Sequence, residues 1–297
     1  MIQPRWIDPS SPDWPARLCH LEAAPHGLWL LGATGPTAPC VAVVGSRRAT
    51  FSGFEIARSI GGELGAAGIQ VISGMALGID AAAHRGALEA GGTTVAVLGC
   101  GIDVCYPPRH AELREQIIAA GSLITEEPEG APPLKYNFPK RNRIIAALAS
   151  AVVVVEATER SGALSTARWA ADLGREVLAV PGSIRSRQSS GTNLLIRDGV
   201  RPFLGIGDLL EAVPELRRAV PESALDSPPG GDGGRLERFS PPLREILARM
   251  GTQPVHPDQV GVALGLSPAL VASRLGALEL AGAVMSLPGG LLAPEPH

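Results

Sequence analysis

The sequence predicts an α/β protein: a doubly wound, mostly parallel sheet, followed by a small helical domain that ends in a hairpin. Three observations carry this reading. Short apolar runs recur from Cys40 onward, with helix-length segments between them. The runs are continuous rather than alternating, the pattern of strands covered on both faces. A stretch that cannot pack a core, Pro228-Pro229-Gly230-Gly231-Asp232-Gly233-Gly234, divides them from a C-terminal segment of different periodicity.

Residues 1–40 are rich in Pro and Trp and weakly periodic, which predicts an N-terminal arm packed on the main domain and anchored by Trp6, Trp14 and Trp29. The main domain spans 41–213. Its strands are predicted at 41–44, 69–72, 94–98, 122–125, 151–155 and 176–180, joined by right-handed crossovers into a Rossmann-like sheet. Residues 214–238 read as a flexible linker. In the last domain, 239–297, helices are predicted at 243–250, 255–264 and 267–281. A hairpin follows, with strands at 283–287 and 291–293 about the turn 288–290, giving a winged helix-turn-helix.

The 297 residues have room for one sizeable domain and a smaller one. A formal net charge of −3 provides no global positive field, so any anion site must concentrate charge locally. The start lacks a basic-then-apolar leader pattern, and no run of about 18 apolar residues occurs, so a cytoplasmic protein without membrane contact is expected. Cys19, Cys40, Cys100 and Cys105 form no CxxC pair and no His-flanked ligand set. Idle thiols in a reducing compartment are expected, with neither metal nor cofactor.

In an open α/β sheet, ligands bind beyond the carboxyl ends of the strands, and the unusual residues of this chain collect there. After the first strand comes Gly45-Ser46-Arg47-Arg48, then Ser52 with Glu55 three residues on, a capping-box pattern for the next helix. Glycine admits backbone N–H groups to an anion, the helix start adds positive charge, and two arginines supply forked donors. The residues by themselves leave open a phosphate cradle or a surface turn. Asp80 and Asp103 read as caps or turn formers, and His84 as a packed residue.

Residues 135–143 hold four cations, Lys135, Lys140, Arg141 and Arg143, including the only two lysines among 26 basic residues. Compact ammonium groups suit backbone phosphates, and Tyr136 and Phe138 between them suit base stacking. A solvated basic loop balanced by Glu126, Glu127 and Glu129 is the competing reading. Ser161-Gly162 opens another small-residue turn. No Walker lysine motif, GxGxxG, Ser-His-Asp set or metal set occurs, so neither a nucleoside triphosphatase nor a dinucleotide oxidoreductase is supported.

In order, VVGSRR, SGMALGID, LGCGIDVCYP, NFPKRNRIIA, VVVVEATERSGALSTA and GTNLLIRDG resemble the DNA-processing protein A (DprA/Smf) family over about residues 25–210. The resemblance implies an extended Rossmann fold that binds single-stranded DNA, dimerises and helps load the RecA recombinase during natural transformation. It implies no enzymatic activity; single-strand-binding protein is a further expected partner. DNA contacts carry over to Gly45, Ser46, Arg47, Arg48, Phe138, Lys140, Arg141, Asn142, Arg143, Ser161 and Gly162. Dimer contacts are expected at Leu194, Leu195, Ile196, Phe203, Leu204, Leu209 and Leu210. Many family members carry an added N-terminal helical domain, for which the residues before Leu28 are too few. From Phe239 onward, Arg244, Arg249 and Arg274 face Glu245, Asp258, Glu279 and Glu295, so the tail is expected to dock protein or regulate rather than read duplex DNA. A phosphoribohydrolase-like enzyme is the rival, but its essential loop glutamate has no counterpart in Ser161–Arg168. A winged-helix transcription regulator is weakened by the tail's charge.

Overall fold

The computed structural model describes residues 2–36, 39–220, 240–250, 254–280, 283–287 and 289–294. The chain divides into two compact units, Met1–Gly230 and Gly231–His297.

The first unit is built on nine strands: β1 (Arg5–Ile7), β2 (Leu28–Gly32), β3 (Cys40–Val44), β4 (Gln70–Ser73), β5 (Thr94–Val97), β6 (Ser122–Thr125), β7 (Ala151–Val154), β8 (Glu176–Ala179) and β9 (Arg201–Pro202). Their order is β1-β2-β6-β5-β4-β3-β7-β8-β9. From β6 to β9 every pairing is parallel. The six apolar runs all form strands, because each buries side chains on both faces. Val41 and Val43 of β3 join one core with α1 (Phe51–Ala66) and α2 (Ile79–Glu89). Ala42 and Val44 join the other, with α4 (Asn137–Leu148) and α5 (Ala163–Asp172). The remaining α-helices among its described residues are α3 (Ala111–Ala120), α6 (Ser190–Arg197), α7 (Ile206–Ala212) and α8 (Pro214–Ala219).

Two stretches of the expected N-terminal arm are strands of the sheet itself. The outer edge of β6 would otherwise leave its N–H and C=O groups unpaired. Instead β2 pairs with it antiparallel, Trp29 opposite Thr125 and Gly32 opposite Ser122, and β1 pairs with β2 in turn. Trp6 and Trp29 meet edge to face at 5.4 Å, while Trp14 packs partly buried on the core. The expected end of the domain near 213 also moves. Helix α8 continues it, with Leu216 and Val220 in the core and Arg17 Nη2 donating to Glu215 Oε1 at 2.7 Å. The expected linker core at 228–234 lies outside the described residues.

The second unit holds α9 (Pro241–Met250), α10 (Pro257–Leu264), α11 (Pro268–Leu280) and an antiparallel hairpin of β10 (Val284–Leu287) and β11 (Leu291–Pro294). Ile246, Val260, Val271, Leu278 and Val284 share its core. Three helices and a hairpin are the winged-helix arrangement that the sequence predicted.

Sheet order positions the site. From β3 the chain steps through β4 and β5 to β6, then crosses back to β7 on the other side of β3. The loops after β3 and β7 therefore diverge and leave a crevice between them.

Candidate functional site

At the end of β3, a side chain on Gly45 would collide with Ile79 and the carbonyl of Glu156, so only glycine lets the strand ends approach this closely. Ser46 is buried. Its hydroxyl accepts the Arg48 N–H at 3.1 Å and donates to Gln188 Oε1 at 3.2 Å, and its carbonyl accepts the Ile79 N–H. This fixes the turn and leaves Arg47 and Arg48 exposed. The Arg47 guanidinium lies over the Phe138 ring, 4.8 Å from its centroid, and Phe138 in turn packs at 5.5 Å on Tyr106. A guanidinium resting on an aromatic face is oriented while its outward N–H donors stay free.

The start of α1 differs from expectation. Thr50, not Ser52, is the cap, accepting the Gly53 N–H at 3.0 Å. Glu156, beyond β7, takes the Thr50 N–H on Oε2 at 2.9 Å and the Thr50 hydroxyl on Oε1 at 2.5 Å. A side chain on Gly53 would run into that carboxylate. The positive end of α1 thus already holds an anion supplied by the chain itself. A ligand anion beside this turn therefore finds Arg47 and Arg48 rather than the start of α1.

From Asn137 onward the basic segment is helical, and helix geometry separates Lys140, Arg141 and Arg143. Lys140 and Arg143, three residues apart on one face, turn away from the crevice toward Glu126 and Glu127. Lys140 Nζ reaches Glu127 Oε1 at 3.2 Å and Arg143 Nη2 reaches Glu126 Oε2 at 2.6 Å. Phe138, Arg141 and Asn142 face the crevice. Arg141 is buried and acts as a strut: its Nη1 donates to the carbonyls of Gly74 and Val97, past the ends of β4 and at the end of β5. Burial pushes its guanidinium down to about 10, against the pull of nearby Asp80. Asn142 Nδ2 donates to Gly162 O at 3.2 Å and Ser165 Oγ at 2.8 Å, tying α4 to the start of α5. Ser161 Oγ accepts the Ala163 N–H, and no atom stands where a Gly162 side chain would point.

The crevice has a volume of about 820 Å³. It brings together Gly45, Ser46, Arg47, Arg48, Phe138, Arg141, Asn142, Ser161 and Gly162, but neither Lys140 nor Arg143. Lys135, Tyr106, Arg187 and Gln188 line it as well, and Asp80 is the single acid among the lining residues. Tyr106 was legible by the same rarity that drew attention to Tyr136, yet Tyr136 is 69% exposed and stands outside. Arg187 and Gln188 carried no comparable signal.

Beneath the crevice, Asp80 accepts the N–H groups of Gly74 and Ala76 and so holds the loop before α2; of the two roles expected of it, cap or turn former, it plays the second. Burial raises its carboxyl, with Arg141 opposing. Buried His84 holds Thr94 Oγ1 at 2.7 Å on Nδ1 and accepts the Met75 N–H on Nε2. His110 Nδ1 lies 3.0 Å from the Met75 carbonyl. Met75 needs this grip, since it adopts the left-handed φ of 54°. The Ser46 and Ser161 hydroxyls meet an amide side chain and a backbone N–H, not a base. Burial pushes the Cys40 and Cys100 thiols up to about 12 and 11. Among the described residues no His, Cys, Asp or Glu group is placed to hold a metal, and no single helix is long and apolar enough to cross a membrane.

The stretch expected to form dimer contacts divides. Leu204 is 76% exposed, and Leu194, Leu195 and Ile196 on α6 are half-buried. Phe203, and Leu209 and Leu210 of α7 itself, are core residues and are not available to a partner. The reason is local: Asp208 Oδ2 accepts the Leu204 and Gly205 N–H groups, seating α7 with its apolar face on the sheet.

Comparison with known proteins gives a consistent picture. The family model for DNA recombination-mediator protein A matches residues 5–214, and that for the DprA winged helix domain matches residues 225–290. Protein Smf of Synechocystis is 35% identical over 314 residues, covering 96% of this chain and 79% of its own. Among solved structures, DNA processing protein A of Streptococcus pneumoniae is 36% identical with a TM-score of 0.66, covering 70% of this chain and 74% of its own. That of Helicobacter pylori, described for its single-stranded DNA binding mode, is 27% identical with a TM-score of 0.63, covering 71% and 95%.

Proposed function

The chain belongs to the DNA recombination-mediator protein A family, and on that basis we propose that it is a non-enzymatic single-stranded DNA-binding protein of the cytoplasm. In this reading it protects incoming DNA and helps load the RecA recombinase during natural transformation, working as a homodimer alongside single-strand-binding protein. One observation carries the reading most directly: exposed Arg47 and Arg48 stand at a switch-point crevice, with Arg47 seated on the Phe138–Tyr106 pair. Forked donors match phosphate, and aromatic faces match unpaired bases, whose stacking is sequence-tolerant. The H. pylori relative supports single-stranded DNA as the ligand class. The winged-helix unit has the charge of a protein-docking or regulatory element rather than a duplex reader.

Titration of a labelled oligo-dT at several salt concentrations tests the reading. For each phosphate contact removed, the slope of log affinity against log salt should shrink by about 0.7. Arg47→Ala and Arg48→Ala should each weaken binding and flatten that slope. Unchanged affinity and slope in both variants would falsify the crevice as the strand site.

A further inference from the structure

The loop between β8 and α6 presents an apolar side chain beside the crevice. Gly182 is clasped by Asn193 of α6 in both directions: its N–H donates to Asn193 Oδ1 at 3.1 Å, and Asn193 Nδ2 donates to its carbonyl at 3.0 Å. Beyond the clasp a tight turn closes, the Ser186 N–H donating to Ser183 O at 2.9 Å and the Arg185 N–H to Ser183 Oγ at 3.3 Å. The central residues of that turn are Ile184 and Arg185, and Ile184 is 95% exposed. The chain then runs straight into the crevice, which Arg187 and Gln188 line, with Gln188 held by Ser46.

A single exposed aliphatic residue is ordinary on a protein surface. This one differs in its setting. It sits on a turn braced at both ends, next to an arginine, with a second arginine already inside the crevice. The turn contains no acid. A rigid support of this kind lowers the ordering cost of whatever binds to it.

We propose that the Ser183–Arg187 turn extends the strand site, with Ile184 as a wedge against the bases of the strand where it leaves the crevice. Arg185 and Arg187 hold the flanking phosphates. The proposal rests on the single-strand reading of the crevice and adds a second, apolar contact to it. Apolar side chains inserted between bases unstack them without reading their sequence, which suits a protein that must accept any strand. Charge and continuity favour nucleic acid over a protein partner: the turn is cationic and its far end is a wall of the crevice.

The test uses oligo-dT of about four and about twelve nucleotides, with 2-aminopurine placed at successive positions. The full chain is compared with its Ile184→Ala, Ile184→Leu and Arg185→Ala forms. Ile184→Ala should bind the short strand as the unaltered protein does. On the long strand it should lose about tenfold in affinity, the scale of burying part of one aliphatic side chain. It should also lose the fluorescence rise of the probe at the crevice exit, and Ile184→Leu should restore both. Arg185→Ala should weaken only the long strand and flatten its salt dependence. If Ile184→Ala matches the unaltered protein on both strands with the probe signal intact, the wedge is overturned and the crevice reading stands. If the unaltered protein binds neither strand, the crevice reading falls first.

Discussion

At the scale of single residues, position on an element decides what a charge can do. Lys140 and Arg143 are spent on Glu126 and Glu127, whereas Arg47 and Arg48 project to solvent from a turn fixed by Ser46. Replacing Lys140 with Ala should therefore change oligonucleotide affinity far less than Arg47→Ala, and side-by-side titrations check this. Glu156 is the residue whose role was least visible in advance. Its carboxylate accepts from both the backbone and the hydroxyl of Thr50, so Glu156→Ala strands those donors at the start of α1. A loss of about 1–3 kcal/mol in folding stability is expected, measured by denaturant unfolding. The cradle Gly45–Arg48 was readable because a turn displays contiguous residues together. The basic segment 135–143 was only half readable, because Lys140, Arg141 and Arg143 on one helix point in different directions. Nothing in spacing reveals which of them meets an acid brought in from another strand.

At the scale of elements, the β4–α2 loop is held in part by His84, an imidazole that burial keeps neutral. Burial pushes His84 down to about 3, with His110 and Arg141 adding to the effect, while the ordinary value is 6.5. His110 is shifted in the same direction, again mainly by burial. The folded protein keeps His84 neutral where an unfolded chain takes up a proton, so acid favours the unfolded chain. Stability contributed by His84 is fully present above pH 6.5 and drains away as the pH falls toward 3. Between pH 7.5 and 5 the protein should lose about 2 kcal/mol from this group, and His84→Gln should lessen the loss, as read by urea unfolding at both pH values. The six central strands were legible because doubly covered strands write continuous apolar runs. The flanking strands β1 and β2 were not. They are short, antiparallel and partly exposed; β2 pairs with the open edge of β6, some ninety residues away in sequence, and β1 pairs with β2 in turn.

At the scale of the whole molecule, the proposed self-association has lost part of its surface and kept the rest. Leu204→Asp should weaken a dimer without unfolding the protein, since that side chain is 76% exposed. Leu209→Asp should unfold it instead, because burying an unpaired carboxylate in the core costs several kcal/mol. Light scattering together with circular dichroism separates the two outcomes. The crevice is assembled from residues near 45, 106, 138, 161 and 187, so its walls lie far apart along the chain and meet only when the central sheet is complete. A partly folded chain has no crevice to offer, and a ligand therefore binds the finished fold alone. Occupancy then acts as a thermodynamic clasp on the entire first unit. At a free oligonucleotide concentration one hundred times the dissociation constant, its unfolding becomes harder by about 2.7 kcal/mol.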